Sequence, residues 1–434
     1  MSKNQILLSH ILKDTLHLNF CITATKNITR AELLLDALTL SEQLPPNKQY
    51  AINLCQDRYL FIVAYLAVFI RQQISLLPQN TAEKTLTNLQ EQYTDSYTIS
   101  DKNNAADFYI HPELLSKKSK QPFPLVDIDS SVSISFTSGS TGEPKAISKT
   151  WREFQISAQL ALAQFNLQNE RCTLVSTAPM QHMFGLETSF FWVLFSKLCL
   201  HNSRPFYPED IRTTLNSIQN DKILISTPRH LNTCCQNNTP WPPIKFILSS
   251  TAPMKKELAL KLETTFKSPV FEIFGSTETL SFASRQITQS EQWTPYQEIK
   301  LSLNQEQLII QGGHLPNPLT LDDIFSLNQT GQFTLLGRSS EIIKIAGKRA
   351  SLSELNTHLN QIEGIEDGLF FPCDNERLSA VIVSKNSKKS VLQALKKRID
   401  VVFLPRRLYA VKALPRNSMG KIIKTDLEQL IKTT

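Results

Sequence analysis

The stretch Ser135–Ser148, SFTSGSTGEPKAIS, sets hydroxyls, two glycines and a lysine at the end of an alternating run. The run, VSISFT from Val132 to Thr137, alternates apolar and polar residues as a strand with one buried face does. The residues that follow cannot build a core. Backbone N–H groups around Gly139 and Gly142, the hydroxyls of Thr137, Ser138, Ser140 and Thr141, and the Lys145 ammonium can instead surround an anion. The loop is not the GxxxxGK[ST] phosphate loop, because Gly142 is followed by Glu143, Pro144 and Lys145. A glycine-serine linker has a similar composition. A linker would not stand between two strand patterns.

FEIFGSTET, Phe271–Thr279, repeats the theme at a second strand end. Gly275 turns the chain, Ser276 and Thr277 offer hydroxyls, and Glu278 offers a hard oxygen ligand suited to magnesium. Phe274 offers an aromatic face. LLGRSSEIIKIAGKRASLSEL, Leu335–Leu355, groups Arg338, Glu341, Lys344, Lys348 and Arg349 around Gly337 and Gly347, as a solvated charged hairpin also would. LPRNSMGKIIKTDL, Leu414–Leu427, puts Lys421 directly after Gly420 in a turn that follows a proline. Each of the last three stretches is weak alone.

The elements that must position these residues alternate in the α/β manner. Ala31–Leu44 reads as helix, Tyr50–Cys55 as strand, Asp57–Arg71 as helix and Ile74–Leu77 as strand. Asn80–Lys120 is polar and reads as surface. A helix starts at Trp151. Thr173–Thr177, Ile223–Ser226, Phe246–Ser249 and Val270–Phe274 read as buried strands. Ligands of such sheets sit at the carboxyl ends of strands. That predicts Thr137–Lys145, Pro179–Gly185, Ser249–Met254 and Gly275–Glu278 on one rim. After Gly337 the pattern shifts to a small α+β segment, with a helix from Ser353 and a strand at Leu378–Val383.

Bulk properties narrow the classes. The 434 residues exceed one ordinary domain, and the net charge of +7 is spread without a basic block, a poor footprint for nucleic-acid binding. Seven cysteines, an odd number without a CxxC pair, predict free thiols in a reducing compartment. The apolar run Tyr59–Ile70 is too short to span a bilayer and reads as a buried helix. With no signal-like start, a cytoplasmic location is expected. Glycine is scarce, twelve in all with none before Gly139, so each is a candidate for a required backbone conformation.

Taken together and in order, the four stretches resemble the adenylate-forming (AMP-binding) superfamily, in its acyl-/aryl-CoA synthetase branch. SFTSGSTGEPK is similar to its phosphate-binding signature and FGSTE to its [YF]GxTE motif. GRSSEIIKIAGKR resembles its hinge motif GRxDxxIKxxGxR, and LPRNSMGK the motif of its catalytic lysine. PMQHMFGLE, Pro179–Glu187, is similar to the acid-pocket motif, and SSTAPM, Ser249–Met254, to the pocket-wall turn. Asp323 stands at the spacing of the ribose-binding aspartate, with Asp322 as the fallback because LTLDDIF lacks the usual glycine.

The resemblance implies an α/β fold: a large N-terminal lobe of doubly wound α/β layers, residues 1–337, and a small mobile C-terminal α+β lobe, residues 338–434, carrying the catalytic lysine. It implies that Thr137, Ser138, Gly139, Ser140, Thr141, Gly142 and Lys145 hold the ATP phosphates. Phe274 would stack on the adenine, Gly275, Ser276 and Thr277 would also bind ATP, with Thr277 at the α-phosphate, and Asp323 and Arg338 would bind the ribose. Thr277, His182 and Lys421 would be the catalytic residues, Glu278 the Mg²⁺ ligand and Glu341 the hinge acid, where aspartate is usual. His182, Phe184, Gly185, Ser250 and Thr251 would line the acid site.

The implied reaction is activation of a carboxylic acid by ATP to acyl-AMP, then transfer to the thiol of coenzyme A or of a carrier-protein phosphopantetheine. The stretch HMFGLETSFFW has no aspartate beside His182, and its nearest acid is Glu187. A buried amine needs an anionic partner, so an aryl or fatty acid is expected. The aromatic residues there would equally pack a helix. An amino-acid-activating enzyme and a nucleotide-binding homologue without ligase activity are the alternatives.

Overall fold

The computed structural model describes residues 5–8, 12–78, 80–102, 106–138, 144–236, 239–304, 307–338, 342–345, 348–373, 377–416, 422 and 424–433. Two compact units divide the chain. The first is Met1–Glu291 with Pro295–Ile299 and Gly312–Asn317; the second is Gln292–Thr294, Lys300–Gln311 and Pro318–Thr434.

The first unit contains two large mixed sheets. One runs Pro144–Thr150, Ser131–Ser138, Ile74–Leu77, Tyr50–Asn53, Ser96–Ser100, Phe108–Tyr109, and only its first pair is antiparallel. The other includes, in this order, the run Leu280–Arg285, Val270–Ser276, Phe246–Ser249, Lys222–Ser226, Thr173–Ser176, Cys199–His201, Asn19–Ile22, Asn27–Thr29. Its pairs are parallel except at these two ends. The stretches expected on one rim come from two sheets. Thr137 and Lys145 face each other across a hairpin of the first sheet, whereas the strands ending near Pro179, Ser249 and Gly275 belong to the second. Alternation along a chain shows which face is buried, not which sheet a strand joins.

The reading of Asn80–Lys120 as surface is corrected. It holds the helix Glu83–Gln92 and the strand Ser96–Ser100, whose five residues are all buried. Four of its five residues, Ser96, Tyr97, Thr98 and Ser100, carry hydroxyls, so hydropathy misses it. Burial is tolerated because the polar groups are bonded: Asp107 accepts from Thr98 N at 2.8 Å and from Thr98 Oγ1 at 2.9 Å.

Helix Arg58–Ile70 starts where the Asp57 carboxylate accepts from Leu60 N at 2.9 Å, and every residue but Leu60 is buried. Among the described residues no helix is long and apolar enough to cross a membrane. Phe69 stacks on Trp151 at 4.6 Å, and Tyr65 meets Phe190 and Phe191 edge-on. Phe154 stacks on Phe191 at 4.1 Å. Such ring pairs contribute about 0.5–1.5 kcal/mol each beyond burial. The helix Trp151–Gln164 opens with a capping box between Thr150 and Glu153. All seven cysteines are free.

The second unit begins with the antiparallel strands Ile299–Asn304, Gln307–Gly312, Leu319–Leu327 and Phe333–Arg338. A hairpin, Ile342–Ile345 with Lys348–Ser351, leads into helix Leu352–Asn360. Strands Ile365–Cys373, Arg377–Ser384 and Arg407–Ala410 form a small sheet. Leu355, Leu359, Phe370, Ile382, Val391 and Leu395 make its core.

Candidate functional site

The turn after Val270–Ser276 is the best-defined part of the candidate site. The chain reverses and returns antiparallel as Leu280–Arg285, with Ser276 opposite Leu280. A Cβ on Gly275 would lie 2.1 Å from the Leu280 carbonyl oxygen, so only glycine fits this crossing. Leu280 takes the left-handed conformation at φ 53°. Within the turn, Ser276 N donates to Thr279 Oγ1 at 2.9 Å and Thr279 N donates to Ser276 Oγ at 3.2 Å. Those bonds occupy Ser276 and Thr279. The side chains of Thr277 and Glu278 are half-buried, and among the described residues neither has a hydrogen-bond or ion-pair partner. Phe274 is half-buried with its ring edge-on to Phe282 at 5.5 Å.

The loop after strand Thr173–Ser176 leads to His182. It is held by Arg58, a residue the motifs did not single out. The Arg58 guanidinium is buried and donates to Ser176 O at 2.6 Å and to Ala178 O at 2.8 Å, with Met180 Sδ at 3.4 Å. Burial pulls its pKa down to about 9. In the sequence this arginine marks only the edge of an apolar helix. His182 caps the helix Met183–Leu186, which contains Phe184 and Gly185, both buried. A π-helical turn follows over Glu187–Phe191.

Glu187 is itself buried. Its Oε1 accepts from Ser281 N at 3.0 Å, Ser281 Oγ at 2.9 Å and Ser157 Oγ at 3.2 Å. Burial pushes the carboxyl above its ordinary value, against the hydrogen bonds of Ser281 and Ser157. Phe190, Phe191 and Trp192 are core residues.

The turn after Phe246–Ser249 carries Ser250 and Thr251. Ser250 Oγ donates to Ile273 O at 3.1 Å, tying this turn to the strand that ends in Phe274. Thr251 adopts φ 81°, which is strained for a β-branched residue, and its Oγ1 is buried with no partner among the described residues.

In the second unit, Asp323 and Arg338 stand directly opposite each other on neighbouring antiparallel strands. Thus two residues fifteen positions apart in sequence share one register position. Arg416 forms a two-point ion pair with Asp367 at 2.9 and 2.8 Å, and it also bridges Ile422. Both described flanks of the Lys421 segment are therefore fixed to one another. Gly139, Ser140, Thr141, Gly142, Glu341 and Lys421 lie outside the described residues, as do the side chains of Thr137, Ser138 and Arg338. Lys145 is exposed.

The profile of the family described as AMP-binding enzyme matches residues 38–313, more than half of the chain. The chain belongs to the AMP-binding enzyme family. It is 24% identical over 330 residues to a putative long chain fatty acid-CoA ligase, VraA, of Staphylococcus haemolyticus, covering 70% of this chain and 71% of that one. It is 20% identical over 313 residues to a 3,4-dihydroxybenzoate–[aryl-carrier protein] ligase of Bacillus anthracis, covering 68% and 73%. The fold matches O-succinylbenzoate coenzyme A synthetase of Bacillus subtilis in complex with AMP, with a TM-score of 0.85 and 18% identity over 98% of both chains. The protein is an AMP-forming acid–thiol ligase: it activates a carboxylic acid with ATP as acyl-AMP, releases pyrophosphate and passes the acyl group to a thiol.

Proposed function

We propose that the acid is an aryl or fatty acid, and that the Gly275–Thr279 turn handles the α-phosphate and magnesium. The observation that carries the second part is the pair of uncommitted side chains on an otherwise fixed turn. The Thr277 hydroxyl and the Glu278 carboxylate have no protein partners among the described residues, while the groups flanking them do. An unpaired carboxylate beside a hydroxyl is a hard-oxygen donor set, which suits Mg²⁺. Mg²⁺ held there would neutralise phosphate charge.

The substrate carboxylate attacks the α-phosphorus. A new P–O bond forms, the α–β bridge breaks and pyrophosphate leaves. In this reading Thr277 donates to the α-phosphate. The loop Thr137–Gly142 and Lys145 hold the β- and γ-phosphates, and Asp323 and Arg338 hold the ribose from adjacent strands. Lys421 offsets the negative charge that grows on the α-phosphate. In the second half-reaction the thiol, of coenzyme A or of a carrier-protein phosphopantetheine, attacks the acyl carbon and AMP departs. Residues 338–434 act as the lid that turns about Glu341 between the two steps.

The preference for an acid without an amine rests on Glu187. It is the acid nearest His182 in sequence, and its recorded bonds are to Ser281 and Ser157. That leaves the acidic group of this stretch occupied by protein donors. Relatives at similar identity are named for a fatty acid, for dihydroxybenzoate and for D-alanine, so the acid class rests on Glu187 alone. Acid-dependent exchange of labelled pyrophosphate into ATP tests the reading. Benzoic-type, cinnamic-type or fatty acids should drive exchange and free amino acids should not. Robust exchange with an amino acid alone overturns the acid class.

A further inference from the structure

Two buried side chains outside every motif meet behind the Gly275–Thr279 turn. Lys149 Nζ donates to Glu278 O at 2.6 Å, and His314 Nε2 lies 2.6 Å from Thr279 O. A carbonyl only accepts, so the imidazole carries its proton on Nε2. Lys149 and His314 are 4% and 3% exposed, so neither donor has water as an alternative partner. They reach the turn from opposite directions in sequence. Lys149 lies on strand Pro144–Thr150, the returning arm of the phosphate-loop hairpin. His314 follows Gly312 and Gly313, at φ 86° and 55°. A Cβ on Gly312 would lie 2.5 Å from Glu298 O, so the glycine is needed to bring the histidine in.

The grip is braced at its far end. Lys149 Nζ also donates to Glu153 Oε1 at 2.8 Å, while Glu153 Oε2 accepts from Thr150 N at 2.8 Å and caps helix Trp151–Gln164. Glu187 holds the next residue but one, Ser281. Burying an ammonium costs several kcal/mol before pairing, and His314 Nδ1 stays buried without a partner among the described residues. An apolar pair of equal volume would fill the same space at lower cost. What the polar pair adds is a fixed position for two consecutive carbonyls, those of Glu278 and Thr279.

We propose that Lys149 and His314 are positioning residues, which lock the Glu278–Thr279 backbone so that the Thr277 hydroxyl and the Glu278 carboxylate are presented together to the metal–nucleotide complex. Lys149 also couples the phosphate loop to this turn through one short strand. The proposal rests on the reading of this turn as the metal and α-phosphate turn.

The test measures Mn²⁺ binding to the protein with ATP by electron paramagnetic resonance, alongside ATP binding in EDTA. Lys149→Met and His314→Leu remove the donors; Lys149→Arg and His314→Gln keep an N–H. Supporting groups behind metal ligands are typically worth ~10–100-fold in metal affinity, so the donor-less variants should weaken Mn²⁺ binding by about that factor. ATP binding in EDTA should be unchanged, and the donor-keeping variants should recover most of the loss. Wild-type Mn²⁺ affinity in the folded donor-less variants overturns the proposal. So does equal loss with and without metal, equal loss in the donor-keeping variants, or failure of the donor-less variants to fold. Glu278→Gln separates the two levels. If it binds Mn²⁺ with ATP as tightly as the wild type, the reading of the turn fails, whatever the other variants show.

Discussion

Acid should weaken this protein at one identifiable histidine. His314 is 3% exposed and gives its Nε2 proton to Thr279 O. Burial is the main cause that lowers its pKa from 6.5 to about 4, with the Lys149 charge acting in the same direction. The sign follows from the proton count. Below pH 6.5 the unfolded chain takes up a proton at this ring, while the folded protein resists until about pH 4. The neutral ring therefore supports the fold fully above pH 6.5, and that support is lost as pH falls to about 4. At about 1.4 kcal/mol per pH unit, the full loss is about 3 kcal/mol.

The perturbation is His314→Gln, which keeps an N–H donor and removes the titration. Urea unfolding followed by tryptophan fluorescence gives the stability of both proteins at pH 7, 5.5 and 4. Every other group titrates in both, so the difference isolates His314. The wild type should lose about 3 kcal/mol relative to the variant between pH 7 and pH 4. Parallel pH profiles would refute the assignment of a buried neutral imidazole.

Three further outcomes follow from the same geometry. Thr251→Gly relieves a positive φ at a β-branched residue and removes a buried, unpartnered hydroxyl; it should raise stability by about 1 kcal/mol, seen as a higher melting temperature, and should shift the ranking of acids in pyrophosphate exchange. Glu187 is held above its ordinary pKa by burial, so the stability it lends is full below the ordinary carboxylate range and is lost as pH rises through the raised value. Glu187→Gln should thus gain on the wild type as pH rises above the ordinary carboxylate range in the same unfolding assay. Lys421→Ala should leave the melting temperature unchanged and lower acyl-AMP formation by ~10²-fold or more, while thiolysis of supplied acyl-AMP is affected less.

The site was legible in the sequence where chemistry and backbone need coincide. Gly275 is the clearest case: a glycine in a glycine-poor chain, at a strand end, where a Cβ would strike the Leu280 carbonyl. Asp323 and Arg338 come from separate motifs, and the strand register sets them side by side. The strand Ser96–Ser100 was missed because its buried hydroxyl residues look like surface until Asp107 is seen to bond Thr98. Arg58, Lys149 and His314 were missed for a related reason. A charged or titratable residue reads as solvent-facing in a sequence, and its burial is set by partners that lie far away in the chain. No spacing rule links Lys149 to Glu278, which stand 129 residues apart.

The central claim is that a carboxylate of the acid attacks the α-phosphorus of ATP and that AMP leaves on thiol attack. Oxygen transfer reads this directly. An accepted acid labelled with ¹⁸O in its carboxylate, incubated with the protein, ATP, magnesium and a thiol acceptor, should give AMP bearing one ¹⁸O atom and unlabelled pyrophosphate by mass spectrometry. Unlabelled AMP, or label in pyrophosphate or inorganic phosphate, would contradict the account.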